Sequence, residues 1–288
     1  MCGTCGCTPL DTPTRLIDPP AGSPALGSPA LGSPGLGSPG LGSPGLKVAS
    51  AGWQPPQTPE HDSVQFQTSL YAHNRQLAMD LRHRLMAERI LLFNLVSSPG
   101  AGKTTLLLAT LRRLAARTKA CVIEGDQQTE LDALRIRATG TPALQINTGQ
   151  ACHLDAQRVS EALEQLRPET GSLVFIENVG NLICPAHFDL GEALRVVLLS
   201  VTEGDDKALK YPDIFASADL VLITKCDLLP YVDFNLAHAR ANIQKINPNL
   251  EVLTSACGRK SNLSAWLSWL TTQQQAFIRE HSPNDHPA

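Results

Sequence analysis

The chain has 288 residues, 42% hydrophobic and 18% charged, enough apolar side chains to fill one large core or two small ones. Its 24 basic and 27 acidic residues are interspersed and leave a formal net charge of −3, which argues against nucleic acid or an anionic membrane as partner. No apolar run approaches the ~18 residues of a membrane span, and the N-terminus lacks the basic and apolar regions of a secretory signal, so a cytoplasmic location is expected.

Three of the eight cysteines lie in the opening segment Cys2-Gly3-Thr4-Cys5-Gly6-Cys7. In a reducing compartment such clustered thiols read as metal ligands or redox groups rather than as a disulfide scaffold. If Met1 is removed, the amino group of Cys2 joins the three thiolates in an N/S₃ set that suits planar Ni(II) and also accepts tetrahedral Zn²⁺. Residues 1–8 are therefore taken as a metal-binding motif and 9–59 as a disordered linker. Within that linker, residues 22–46 are five pentapeptides, GSPAL or GSPGL, and the proline in each blocks helix and interior strand alike. Such a stretch would reach roughly 25–30 Å as a coil and ~75 Å as polyproline II.

A folded domain is expected over residues 60–280, followed by a polar tail at 281–288. Leu70, Leu77, Leu81 and Leu85 recur at helical spacing in a leading amphipathic helix over 60–88. Continuous apolar runs then predict strands at 90–96, 120–124, 143–147, 173–179, 194–201, 220–224 and 251–253. Helical patterns fall between them at 103–117, 130–139, 155–166, 232–246 and 262–280. Strands that read apolar throughout belong to a sheet covered on both faces, so the fold class is α/β with a mostly parallel sheet of about seven strands.

The first strand runs into Ser97-Ser98-Pro99-Gly100-Ala101-Gly102-Lys103-Thr104-Thr105, a Walker A pattern in which Ser97 replaces the first glycine. Gly100 and Gly102 would let the loop turn its N–H groups onto phosphate, Lys103 would neutralise the β/γ oxygens, and the Thr104 hydroxyl would ligate Mg²⁺. Further on, Glu177-Asn178-Val179-Gly180 stands where a D-x-x-G switch belongs. Glu177 would hold Mg²⁺, and the Gly180 N–H would sense the γ-phosphate. Of the carboxylates closing the second strand, Asp126 is favoured as a metal partner and Glu124 is read as a strand-end charge. Lys103, Asp126 and Glu177 are thus the expected catalytic group.

Thr224-Lys225-Cys226-Asp227 resembles the N/T-K-x-D element, whose Asp carboxylate accepts from N1–H and the exocyclic amine of guanine, a donor pair that adenine lacks. GTP is therefore expected over ATP. Lys225 would lie along the base, and the Ser255-Ala256 backbone would reach guanine O6. No arginine finger can be assigned, so slow intrinsic turnover is expected.

Cys152-His153 precedes one helix, and Cys184 follows Gly180 by four residues. If the parallel strands bring these segments together, Cys152, His153 and Cys184 supply three ligands, leaving a fourth position for water, His187 or a second subunit. Because Cys184 continues directly from the switch, loss of the γ-phosphate could move a metal ligand. Cys121 reads as core, while Cys226 and Cys257 flank the expected base pocket.

The segments MCGTCGC, SSPGAGKTT, EGDQQTELDALRIRATGTPALQINTGQACHLDA, FIENVGNLICPA, TEGDDKALKYP and TKCDLLPY together resemble the HypB-type hydrogenase maturation GTPases, nickel-insertion proteins of the same class as the urease accessory GTPase. The resemblance implies a SIMIBI-type P-loop domain that hydrolyses GTP with Mg²⁺ and forms a homodimer with nucleotide. It implies a nickel site at Cys2, Cys5 and Cys7 and a second nickel or zinc site at Cys152, His153 and Cys184. It also implies two partners: a companion nickel-binding maturation protein and the large subunit of a [NiFe]-hydrogenase. Leu228 and Val232 would then belong either to a dimer face or to the core, and Lys207 and Lys210 either to a nucleotide contact or to solvent. The linker contains no histidine, so bulk nickel storage is not expected. The competing readings are a urease-type accessory GTPase, an ATPase of the same superfamily, and a nickel or zinc buffer with incidental nucleotide binding.

Overall fold

The computed structural model describes residues 60–114, 118–126, 131–148, 153–257 and 262–281. Cys2, Cys5, Cys7, the linker and Cys152 lie outside the described residues, as does the tail beyond 281.

Seven strands form one sheet: β1 Leu91–Ser97, β2 Ala120–Asp126, β3 Ala143–Asn147, β4 Leu173–Gly180, β5 Leu194–Ser200, β6 Leu220–Thr224 and β7 Glu251–Thr254. Their spatial order is β3-β2-β4-β1-β5-β6-β7, with every neighbouring pair parallel. Alternation along the strands sorts the core into two faces. Leu91, Phe93 and Leu95 of β1 pack with Phe175 and Leu198 under helices α2 (Lys103–Leu114) and α9 (Ser264–Glu280). On the opposite face, Leu92, Ile123 and Ile176 meet α1 (Glu60–Ala87) and α4 (Ala156–Leu166), while Val197, Val221 and Ile223 lie under α8 (Leu236–Ile246).

Several boundaries differ from the periodicity reading. Helix α8 begins at Leu236 rather than at 232, because Asn235 caps it by accepting from the N–H groups of Ala237 and His238. Residues Cys226–Tyr231 before it form a 3₁₀ helix. Three short helices, α5 (Cys184–His187), α6 (Lys207–Lys210) and α7 (Pro212–Ala216), were not anticipated; four or five residues are too few to show a helical period. No helix among the described residues is long and apolar enough to cross a membrane.

The parallel order gathers the C-terminal ends of β1, β2, β4, β5 and β6 at one edge of the sheet, where ligands of open α/β sheets bind. The described residues of the expected nucleotide site stand on or just beyond the ends of β1, β2, β4, β6 and β7.

Candidate functional site

The loop after β1 can turn as it does because Gly100 and Gly102 adopt φ of 75° and 102°, a region open to glycine. Ser97, wholly buried at the end of the strand, accepts a hydrogen bond from Lys103 Nζ at 2.9 Å and donates to the Ser98 carbonyl at 2.6 Å. The hydroxyl that replaces the first glycine therefore holds the lysine. Burial pulls the Lys103 ammonium below its ordinary value, and the nearby carboxylates, Glu177 first, oppose that shift.

Opposite the lysine, the Thr104 hydroxyl donates to Glu177 Oε1 at 2.6 Å, with Asp132 Oδ2 at 3.3 Å. Oxygens of Glu124, Asp132 and Glu177 lie within 4.8 Å of one another. The register between β2 and β4 produces this grouping by setting Glu124 directly beside Glu177. Glu124 is thus not merely a strand-end charge, and Asp132, on α3 (Leu131–Arg137), is a member that sequence reasoning missed. Asp126 lines the same cleft, a cavity of about 390 Å³ bounded also by Pro99, Gly100 and Gly180, but stands outside the three-carboxylate group.

Burial, followed by the charge of Glu177, pushes the Glu124 carboxyl up to about 10, and burial raises Glu177 as well. The Oε2 atoms of Glu124 and Glu177 are buried without a hydrogen-bond partner. Unsatisfied hard oxygens that repel one another, beside a threonine hydroxyl, fit a divalent cation such as Mg²⁺. Lys103 is the only positively charged side chain among the described residues lining the cleft.

A second cavity of about 230 Å³ opens beyond the same loop, lined by Ala101, Gly102, Thr105, Leu106, Thr224, Lys225, Asp227, Leu228 and Cys257. Its size and the half-exposed Asp227 carboxylate suit a purine base. Thr224 is buried, and its hydroxyl donates to the Ala101 carbonyl at 2.7 Å. The expectation for Ser255 and Ala256 needs correction. The Ser255 N–H donates to Ile223 O at 2.8 Å and the Ala256 N–H to Asn262 O at 3.2 Å, so both are engaged within the fold, and Cys257 supplies the wall instead.

Gly180 ends β4 against the phosphate loop. A side chain there would place Cβ 2.9 Å from Cα and Cγ of Pro99, so the two loops touch only because residue 180 is glycine. Cys184, half-buried, opens α5 four residues later. His153 is also half-buried, and its ring stacks on Phe188, the residue that ends α5, with centroids 3.7 Å apart and planes at 24°. Burial lowers the His153 pKa, which favours the neutral imidazole a metal needs. The structure therefore brings His153 against the segment that carries Cys184.

Cys121 is a core residue whose thiol burial pushes up to about 12, and burial also raises Cys226 and Cys257; none has the character of a reactive thiolate. Lys207 pairs with Glu203 at 3.3 Å and Lys210 with Asp206 at 2.7 Å, each tying α6 to the residues just before it. His187 lies 4.0 Å from Asp213. Leu228 and Val232 pack in part on the core beneath α8.

Residues 91–254 match the family described as CobW/HypB/UreG, nucleotide-binding domain. The chain is 49% identical over 226 residues to the hydrogenase maturation factor HypB of Escherichia coli K12, covering 78% of each chain. It is 42% identical to the hydrogenase/urease maturation factor HypB of Helicobacter hepaticus, over 69% of this chain and 84% of that one. The crystal structure of Helicobacter pylori HypB in complex with nickel superposes with a TM-score of 0.66 at 37% identity, covering 75% of this chain and all of that one.

Proposed function

Because the chain belongs to the CobW/HypB/UreG family of nucleotide-binding proteins, and within it to the HypB hydrogenase maturation factors, we propose that it is a GTP-hydrolysing nickel metallochaperone. In this reading it delivers Ni²⁺ to the large subunit of a [NiFe]-hydrogenase in the cytoplasm. The observation that carries the reading is a pair of cavities served by one loop. Pro99 and Gly100 bound the cleft that holds Lys103 and the carboxylate group, and the next two residues, Ala101 and Gly102, line the pocket that holds Asp227.

In the mechanism, the N–H groups of the Gly100–Gly102 turn cradle the phosphates, and Lys103 leaves the Ser97 hydroxyl to meet the β/γ oxygens. Thr104, Glu124, Asp132 and Glu177 would hold Mg²⁺, with Asp126 in the same cleft but outside that group. The ion would supply neutralisation of charge on the transferring phosphoryl group. Gly180 presents its N–H toward the γ-phosphate from β4. With Lys103 as the single cation among the described residues of the cleft, little positive charge from them meets the leaving group, which accords with slow turnover.

Asp227 selects guanine by accepting from N1–H and the amine. The test is exchange of specificity: Asp227→Asn should weaken GTP and strengthen xanthosine triphosphate, whose 2-oxo group accepts from an amide. Retained GTP preference would end the guanine reading.

Cys2, Cys5 and Cys7 form one nickel site and Cys152, His153 and Cys184 a second, for nickel or zinc. The protein works as a homodimer with a companion nickel-binding protein. Equilibrium Ni²⁺ titration of wild type, Cys2→Ala and Cys184→Ala proteins should give two ions per chain and lose one in each variant. A count well above two would favour a buffer. The relative named as a hydrogenase/urease factor supports a second reading, delivery to urease as well, tested by adding apo-urease as acceptor.

A further inference from the structure

Strand β1 is buried along its length and apolar apart from its terminal Ser97 and one residue in its middle. Asn94, with no exposed surface, sits in the middle of the sheet where a polar side chain must find partners. It finds two. Asn178 Nδ2 donates to Asn94 Oδ1 at 3.2 Å, and Asn94 Nδ2 donates to Glu192 Oε1 at 3.1 Å.

From Glu192 the chain of bonds continues. Its Oε1 also accepts from Arg195 Nε at 2.9 Å and Nη2 at 2.6 Å, and its Oε2 accepts from the Leu190 N–H at 2.7 Å. Arg195 Nη2 reaches the Phe188 carbonyl at 3.2 Å, and Nη1 reaches Ser217 Oγ at 2.8 Å. Phe188 is the residue whose ring stacks on His153.

The near end of this thread holds an irregularity in the switch. Leu95 pairs with Glu177 but Ser97 pairs with Gly180, so Val96 alone stands opposite Asn178 and Val179. One extra residue in β4 makes a bulge, which re-aims the strand end. The Asn178 Oδ1 accepts from the Val179 N–H at 2.9 Å and so satisfies a donor within the bulge. Asn178 thus fixes the segment between the carboxylate of Glu177 and the glycine that touches Pro99.

We propose that Asn94, Asn178, Glu192 and Arg195 are positioning residues that couple the nucleotide switch to the metal ligands through the interior of the sheet, by joining the β4 bulge to Phe188 and His153. The proposal rests on the reading of Cys152, His153 and Cys184 as a metal site. A buried network that is fully satisfied has few alternative arrangements, because leaving any member unpaired in low dielectric is costly. A change in the bulge therefore propagates to Phe188, which bears on His153 with its ring and ends the helix that begins at Cys184.

The test uses the full chain with Cys2, Cys5 and Cys7 changed to Ala, so that Ni²⁺ titrates the second site alone. Ni²⁺ affinity is measured by chelator competition with GDP and with a non-hydrolysable GTP analogue, alongside kcat and KM for GTP. The parent protein should show a ratio between the two states of about 10, within the usual range of allosteric coupling. Asn94→Ala should bring that ratio to about 1 and lower kcat severalfold with little change in KM. Arg195→Lys keeps a cation beside Glu192 but gives up the fork to Phe188; it should reduce the ratio and leave one ion bound, and it serves if Asn94→Ala fails to fold. A folded Arg195→Lys protein with the parent ratio, or a parent ratio of 1, overturns the proposal. If Cys184→Ala in the same background leaves Ni²⁺ binding intact, the metal reading fails first, and the coupling falls for that separate reason.

Discussion

The hydroxyl of Thr224 donates to the carbonyl of Ala101 across 2.7 Å, joining the loop that reads the base to the loop that holds the phosphates. In the commoner form of this element an asparagine occupies the position, and the shorter threonine still reaches because β6 ends close to the phosphate loop. Thr224→Val keeps the shape and deletes the bond. It should cost about 1 kcal/mol in urea denaturation and about fivefold in guanine nucleotide affinity, read by titration with a fluorescent GDP analogue.

Gly180→Ala should fold but hydrolyse poorly. The added methyl would stand 2.9 Å from the backbone Cα of Pro99 and 2.9 Å from Cγ of its ring, which is closed onto the backbone nitrogen, so β4 or the phosphate loop must shift. A displacement of a few tenths of an ångström to 1 Å at reacting groups lowers kcat by about 10- to 100-fold. Single-turnover hydrolysis, with nucleotide affinity measured in parallel, separates lost chemistry from lost binding.

Glu124 sets a pH dependence with a definite sign. Its carboxyl is raised to about 10 in the folded protein against an ordinary value of 4.5, so between those limits the folded state holds a proton that the unfolded state has lost. Stability without Mg²⁺ should therefore fall as pH rises from about 4.5 toward 10. Glu124→Gln removes this contribution, and its melting temperature in EDTA should decline less between pH 5 and 8 than that of the wild type. Mg²⁺ must displace the proton, so Mg²⁺ affinity of the wild type should rise with pH, as isothermal titration at pH 6.5 and 8.5 would show.

Trp266 tests the core on the other face. It is 1% exposed, and its Nε1–H donates to Thr110 Oγ1 at 2.9 Å, which itself donates to Leu106 O at 2.7 Å. Trp266→Phe leaves the buried hydroxyl short of one donor and opens a small void, so chemical denaturation should show a loss of about 2–4 kcal/mol. Nucleotide affinity should follow only weakly, because neither Trp266 nor Thr110 lines either cavity.

Lys103, Thr104 and Asp227 were legible because each sits at fixed spacing in a contiguous motif, and the seven strands because a sheet covered on both faces leaves long apolar runs. Glu124 and Asp132 were not legible as partners of Glu177. What joins them is the alignment of β2 with β4 and the placement of α3, which are tertiary facts with no local signal. Ser255 and Ala256 were misjudged for a similar reason: their N–H groups are engaged by Ile223 and Asn262, and a sequence does not show which donors are already taken. Asn94 offered a clue that went unread, a lone amide within Leu-Leu-Phe-Asn-Leu-Val, where only a buried partner could justify it.

Asn74 on α1 accepts from the Ala156 N–H at 2.9 Å with its oxygen and donates to the Asp189 carbonyl at 2.8 Å with its nitrogen. One side chain of the leading helix thereby ties the start of α4, just past His153, to the turn just past Phe188. Anyone trimming this protein to a minimal nucleotide-binding fragment that starts at the first strand would discard that brace. Such a fragment would still contain every phosphate and base contact described above, yet it would be a poor guide to how the intact molecule handles its cargo.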